Sequence, residues 1–288
     1  MNRNLAIVTP AKNEEENIPN LVDGVFNQSQ LPKLWVFVND ASTDNTVEVF
    51  NKEIQSRLLV HTDIKIVIVN YEDHEKGYAL GEKYSRIIKF ALSNVYKEEV
   101  DSKFQYIGIL DCDVIPEKNY YRGLINNFEN DSNLGIASAG KLNENIDGVW
   151  VTTFVNKSFA AGGFRVWKRD CLEQTGYHVS VSQDSVSAAR AVMMGWKVRS
   201  YRDLSVNIRQ RGAKYGYAYY GKSAYMRHVP FFYLLAGAFK LFASGKRKDS
   251  FEYINGYRKA SKDNVVRIKD PLAIKYFKYR LFYKILGK

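Results

Sequence analysis

The chain has 288 residues, 45% of them apolar and 14% aromatic, enough to bury the core of one large domain and to exclude a disordered or fibrous chain. Its net charge is +11, but residues 246–288 carry 13 Lys or Arg against 4 Asp or Glu, so the tail holds +9 and the rest only +2. Cys112 and Cys171 have neither metal-knuckle nor redox-pair spacing, which excludes a disulfide scaffold and fits a reducing compartment.

No apolar stretch near the N-terminus has the length of a secretory leader, so the expected location is the cytoplasm. The first 140 residues then alternate Val- and Ile-rich runs with helix-like stretches. Strands are expected over residues 5–9, 34–39, 64–70, 105–110 and 134–139, and helices over 14–27, 44–57, 77–96 and 118–130. This is the βαβ pattern of a parallel sheet. Polar groups gather after three strands: Thr9-Pro10-Ala11-Lys12-Asn13-Glu14, Asn39-Asp40-Ala41-Ser42 and Asp111-Cys112-Asp113. Open α/β sheets bind ligands outside those strand ends, although Asp40, Ser42 and Asp44 would also serve as helix caps.

Asp111 and Asp113 follow a very apolar run and place two carboxylates on one turn. Hard oxygen donors suit Mg²⁺ or Mn²⁺, which complete their shells with water and phosphate oxygens. Such a cation neutralises charge developing on a diphosphate leaving group.

Beyond Val149 the strict alternation lapses, and a helix is expected over residues 185–194. Asp184, just before it, could be a base for an alcohol nucleophile or a residue favoured by the helix dipole. Asn207-Ile208-Arg209-Gln210-Arg211-Gly212 reads either as a two-arginine clamp on a diphosphate or as a solvated basic loop. The four histidines, His61, His74, His178 and His228, lack metal spacing; His74 lies near Lys76.

Residues 229–243 form the most apolar stretch. As a helix it would be roughly 20 Å long, short of the roughly 30 Å hydrocarbon core of a bilayer. It is therefore expected either as a core helix or as an element lying in a membrane interface. Residues 272–286 carry two apolar stripes at helical spacing. One is Ile274, Phe277, Leu281 and Ile285; the other is Leu272, Tyr276, Tyr279, Tyr283 and Leu286, with Lys275, Lys278, Arg280 and Lys284 between them. Acidic lipid or a second copy in a homodimer would suit this arrangement.

Taken together, Thr9-Pro10-Ala11-Lys12-Asn13-Glu14-Glu15, Val38-Asn39-Asp40-Ala41-Ser42-Thr43-Asp44-Asn45-Thr46, Lys76-Gly77-Tyr78-Ala79-Leu80 and Leu110-Asp111-Cys112-Asp113-Val114-Ile115-Pro116 resemble, in order, the motifs of family 2 glycosyltransferases. Gly163-Phe164-Arg165-Val166-Trp167-Lys168-Arg169, Gln183-Asp184, Arg190 and Gly195-Trp196-Lys197-Val198 extend the resemblance to roughly residues 5–212. It implies an α/β GT-A fold, a Rossmann-like mixed sheet flanked by helices. Residues 1–228 would be the catalytic domain, with a nucleotide-sugar half over 1–140 and an acceptor half over 141–228. Residues 229–288 would be a basic helical appendage.

The resemblance also implies roles. Pro10 and Glu14 would lie beside the nucleobase and ribose, and Asp40 would bond the base. Lys76 would lie near the nucleotide, Asp111 at the ribose or sugar, and Asp113 on the metal. Arg209 and Arg211 would complete the donor site, with Gly163, Phe164 and Gln183 on the acceptor side. Asp184 would deprotonate an acceptor hydroxyl, with inversion at the anomeric carbon, and the acceptor would be a lipid-linked or polysaccharide glycan. Asn39 and Gln183 depart from the Asp and Glu that many relatives have there.

Two other classes fit less well. A nucleotidyltransferase needs a glycine-rich loop after the first strand to cradle a triphosphate, and Pro10-Ala11-Lys12-Asn13-Glu14 has no glycine. A nucleic-acid-binding module would use the basic tail but leave the acidic motifs without purpose, so no nucleic acid is expected as a partner.

Overall fold

The computed structural model describes residues 4–72, 81–99, 103–146, 148–209 and 216–285. Strand β1 (Leu5–Ala11) is apolar and buried at almost every position, which requires cover on both faces of its sheet. α1 (Ile18–Phe26) leads to β2 (Leu34–Asn39), and α2 (Thr46–Leu58) to β3 (Lys65–Asn70). α3 (Glu82–Lys97) then returns the chain across the sheet to β4 (Tyr106–Ile109), on the other side of β1. These four strands are parallel, in the order β3-β2-β1-β4. The reversal leaves a crevice at the carboxyl ends of β1 and β4, the switch point where open sheets take ligands.

The rest of the sheet is mixed. It uses β5 (Val114–Pro116), β6 (Leu134–Ile146), β7 (Val149–Phe154), β8 (Arg165–Lys168) and β9 (Lys197–Ile208), with α4 (Tyr120–Asn130), α5 (Arg169–Thr175) and α6 (Gln183–Met193) between them. β8 runs antiparallel between β4 and β6, β6 pairs in parallel with β9, and β7 folds back on β6 as a hairpin. β6 runs on to Ile146, well past the expected end at residue 139, because β7 and β9 cover its length.

One layer of the core lies beneath α1, α2 and α4, around Trp35, Phe37, Phe50 and Phe128. Phe37 stacks on Phe50 at 3.9 Å between ring centroids, and Trp35 donates its indole N–H to Thr9 Oγ1 at 2.9 Å, so the buried indole is satisfied. The other layer joins Val36, Ile88, Ala91 and Trp167 beneath α3.

α1 begins at Ile18 instead of residue 14. Asn13 has φ +54°, and the loop around it is tied to the next strand end: Ser42 Oγ accepts from Asn13 N at 3.1 Å, and Asn13 Oδ1 accepts from Thr43 N at 2.8 Å. Asp44 accepts from Thr46 N at 3.1 Å and Glu15 N at 3.3 Å, so it both braces the start of α2 and holds this loop.

α7 (Gly216–Met226), α8 (Phe231–Ala243), α9 (Arg247–Lys262), α10 (Pro271–Lys278) and α11 (Arg280–Ile285) complete the described chain. α7 and α9 cross at glycine: a Cβ on Gly221 would lie 2.0 Å from the Tyr253 carbonyl oxygen, and one on Gly256 2.0 Å from that of Ala218. α10 packs on α6, with Ala273 and Phe277 buried against Val181, Val186 and Ala189. Arg190 Nη1 bonds Asp270 Oδ2 at 2.5 Å, tying α6 to the start of α10.

Two expectations for this region are corrected. α8 is not a core helix: only Leu234 and Ala238 are buried, against α9, while Phe232 is 62% and Phe239 72% exposed. The described part of residues 272–286 is not one helix either. Tyr279 leaves the helical region between α10 and α11, while Tyr276 packs partly inward beside Phe277 and stacks on Tyr283 at 6.1 Å. No helix among the described residues is long and apolar enough to cross a membrane.

Candidate active site

Two cavities open at the switch point and meet at Gly81, Tyr84 and Asp111. The first, about 470 Å³, is lined by Pro10, Glu14 and Asp40 from the ends of β1 and β2, by Lys83 from α3, and by Asp113. The second, about 830 Å³, is lined by Gly163, Gln183 and Asp184 and closed by Tyr219, Tyr220 and Arg227 near or on α7.

Asp111 stands where the cavities join. Tyr84 donates its phenol to Asp111 Oδ1 at 2.6 Å, and the Asp111 N–H donates to the Gly163 carbonyl at 2.7 Å. A Cβ on Gly163 would lie 2.0 Å from Asp111 Oδ2, so only glycine leaves room for this carboxylate. Burial pushes the Asp111 carboxyl up to about 7, with Asp113 and Glu14 adding to the rise against the Tyr84 hydrogen bond and Arg165. Cys112 is buried and donates its thiol to the Pro10 carbonyl at 3.4 Å, linking β1 to the turn after β4.

Asp113 points to the more open side. Its carboxylate is 38% exposed, and Arg209 Nη2 approaches it at 3.5 Å. The same nitrogen meets Glu14 Oε1 at 3.1 Å. Arg209 therefore bridges two carboxylates at the cavity mouth instead of standing free as a clamp. Among the described residues no three His, Cys, Asp or Glu side chains gather to hold a metal. The donor chemistry nonetheless fits a hard cation held by one protein carboxylate and completed by water and substrate phosphates, the usual arrangement for Mg²⁺.

Asp40 is buried and ion-paired with Lys83 at 2.6 Å and Lys12 at 3.6 Å. A contact to a base would therefore reach it through an already paired carboxylate.

Asp184 lies in the first turn of α6, directly after Ser182 and Gln183, with Ser182 at φ +53°. Its Oδ1 accepts from Ser185 N at 2.7 Å, and its carbonyl accepts from Arg165 Nη1 at 3.1 Å. Arg165 is fully buried, donates its Nε to the Ala161 carbonyl at 3.0 Å and lies 5.2 Å from the Trp167 ring centre. Burial pulls its guanidinium below the ordinary value, with Asp184 opposing. Gln183 is buried and donates to Ser187 Oγ at 2.6 Å.

Of the expected site residues, Pro10, Glu14, Asp40, Asp111 and Asp113 line one cavity, and Gly163, Gln183 and Asp184 the other. Phe164 does not join them: its side chain is in the core and its carbonyl accepts from the Tyr120 hydroxyl. Lys76 and Arg211 lie outside the described residues. Sequence reasoning missed Lys83, Tyr84, Arg165 and Arg227. Lys83 and Tyr84 carry a usable signal, because the first turn of a crossover helix on the third strand must start from the same sheet edge as the acidic motifs. Arg165 sat inside a quoted motif without a role, and Arg227 has no local signal.

The family model described as "Glycosyl transferase family 2" matches residues 6–187. No curated protein matches the sequence. Among solved structures, the chain is similar to the mannosyltransferase PcManGT from Pyrobaculum calidifontis in complex with GDP-Man and Mn²⁺ (18% identity, 99% of this chain, 75% of that one, TM-score 0.51). It is also similar to S. aureus TarS 1-349 in complex with UDP-GlcNAc (13% identity, 91% of this chain, 74% of that one, TM-score 0.54).

Proposed function

Because this chain belongs to glycosyl transferase family 2 and is a glycosyltransferase, we propose that it moves a sugar from a nucleotide-sugar to a hydroxyl of a lipid-linked or polysaccharide glycan, with inversion, in the cytoplasm. The single observation that carries this reading is the meeting of two cavities at Asp111, with Asp113 on one side and Asp184 on the other. A donor in the first cavity and an acceptor in the second would bring their reacting atoms together at that junction.

In this reading the first cavity holds the nucleotide beside Pro10 and Glu14, and Asp111 bonds the ribose or the sugar. Asp113 would hold Mg²⁺ or Mn²⁺, which supplies charge neutralisation on the diphosphate. Arg209 already balances Glu14 and Asp113, and its fork suits a phosphate equally well. Asp184 takes the proton from the acceptor hydroxyl. The new bond forms from that oxygen to the anomeric carbon, on the face opposite the breaking bond, and the nucleoside diphosphate leaves with its electron pair.

Support for the donor class comes from relatives of the fold: TarS 1-349 binds UDP-GlcNAc and PcManGT binds GDP-Man with Mn²⁺. We favour a UDP-sugar. Thermal shift against a panel of UDP-, dTDP- and GDP-sugars, with and without Mn²⁺, tests the reading, since a ligand that binds only the folded state raises its stability. A donor is expected to raise Tm in the presence of the cation. Absence of any shift across the panel would overturn the proposal.

A further inference from the structure

The helix α8 is built inside out. Its buried stripe is narrow, holding Leu234 and Ala238 against α9. The large apolar side chains Phe232, Leu235, Phe239 and Phe242 are 42% to 72% exposed, and Phe231, whose ring meets Tyr257 of α9 at 5.5 Å, is 37% exposed. At about 100° per residue they fall within roughly 100° of arc, so they form one continuous face. Phe251 of α9, 60% exposed, extends it, with its ring edge-on to Phe242 at 6.5 Å. A contiguous apolar patch of this kind marks an interaction site.

Cations border the patch. Lys240 lies about 80° beyond the arc, Lys246, Arg247 and Lys248 follow the end of α8, all exposed, and Arg247 lies 5.2 Å from the Phe242 ring centre. A flat aromatic face with cations at its edge matches the depth profile of a bilayer surface, apolar groups below the headgroups and charges among them. Residues 246–288 carry 13 basic against 4 acidic side chains. Two copies meeting face to face through α8 would bring these like charges together, whereas acidic headgroups are attracted to each of them.

We propose that α8 docks this protein on an anionic lipid bilayer, lying in the interface with its aromatic arc inserted and its basic border on the headgroups. α8 packs on α9, and α9 on α7, whose Tyr219 and Tyr220 line the larger cavity. The docked unit thus includes a wall of the acceptor cavity, and it would present that cavity to a lipid-linked acceptor. Only this last step rests on the glycosyltransferase reading.

The test is flotation of the full chain with phosphatidylcholine vesicles, with and without phosphatidylglycerol. The native chain is expected to float with the anionic vesicles and to be released by salt. The double variant Phe232→Ser/Phe239→Ser should bind at least about tenfold more weakly. Lys246→Glu/Arg247→Glu/Lys248→Glu should lose the preference for anionic lipid, by about a hundredfold. Both sets of side chains are exposed, so nucleotide-sugar binding in solution should be unchanged in both variants. Absence of flotation, or flotation that neither variant weakens, would overturn the proposal. So would a dimer in light scattering that the Phe232→Ser/Phe239→Ser variant dissociates without any vesicle binding, since a second copy would then cover the face. Failure to bind any nucleotide-sugar with intact flotation would instead count against the glycosyltransferase assignment alone.

Discussion

Tyr84, in the first turn of α3, donates a 2.6 Å hydrogen bond to Asp111, on the turn after β4, at the junction of the two cavities. The bond joins residues 27 apart in sequence and favours the charged form of a carboxylate that burial pushes up to about 7. Without it, the ionised form of the group proposed to contact the donor would be scarce at neutral pH.

The Tyr84→Phe variant should therefore move the acidic limb of kcat/KM towards alkaline pH by about one to two units, since a hydrogen bond to a charged group contributes about 1.5–3 kcal/mol. The sign follows from the need for ionised Asp111: losing a donor that stabilises the anion raises its pKa. The profile of the free enzyme reports this group, and an unshifted limb would remove Asp111 from that role.

The same shift has a consequence for stability. The native carboxyl holds its proton up to about pH 7, whereas an unfolded aspartate releases it near pH 3.9. The folded state thus binds more protons between those values, and this group's contribution is lost as pH rises through that window. Asp111→Asn should raise stability at pH 8 by about 1–3 kcal/mol. Urea titration at pH 5 and pH 8, with a larger gain at pH 8, checks it.

Gly163→Ala should place a methyl group 2.0 Å from Asp111 Oδ2 and rotate the carboxylate off Tyr84. The expected result is about tenfold weaker nucleotide-sugar binding, the equivalent of one hydrogen bond to a charged group. Calorimetry with the donor measures it directly.

The first cavity was legible because its residues sit where period and polarity change together. Val- and Ile-rich runs ending in Glu14, Asp40 and Asp113 mark the sheet edge in the sequence itself. The second cavity was not, because its parts come from distant chain segments. Arg165 reaches Asp184 from β8, an antiparallel strand inserted between two others, and no local pattern announces that neighbour. Arg227 reaches Ser185 Oγ at 3.2 Å from the end of α7, a contact set by helix packing. The apolar run in α8 was visible, but which face it would bury depends on α9, so the sequence favoured a core helix over an interfacial one and the packing on α9 decides otherwise.

Gly256→Ala tests how the wall of the second cavity, the proposed acceptor site, is held. The added Cβ would lie 2.0 Å from the Ala218 carbonyl oxygen, so α7 must move away from α9 and carry Tyr219 and Tyr220 with it. Overpacking of this kind costs about 1–3 kcal/mol. KM for the acceptor should rise while donor affinity stays unchanged, and a loss of donor affinity instead would mean that α7 supports the first cavity as well.

The division of labour between the two cavities is tested most directly by measuring donor binding and sugar transfer in the same pair of variants, Asp113→Ala and Asp184→Asn. The Asp184 carboxylate accepts from Ser185 N, a bond that asparagine keeps, so the second variant should fold. Asp113→Ala should lose both metal-dependent nucleotide-sugar binding and transfer. Asp184→Asn should bind the donor as the native chain does and lose transfer by roughly 10²–10⁴-fold, the range of a general base. Transfer near the native rate in Asp184→Asn, or intact metal-dependent binding in Asp113→Ala, would contradict the account.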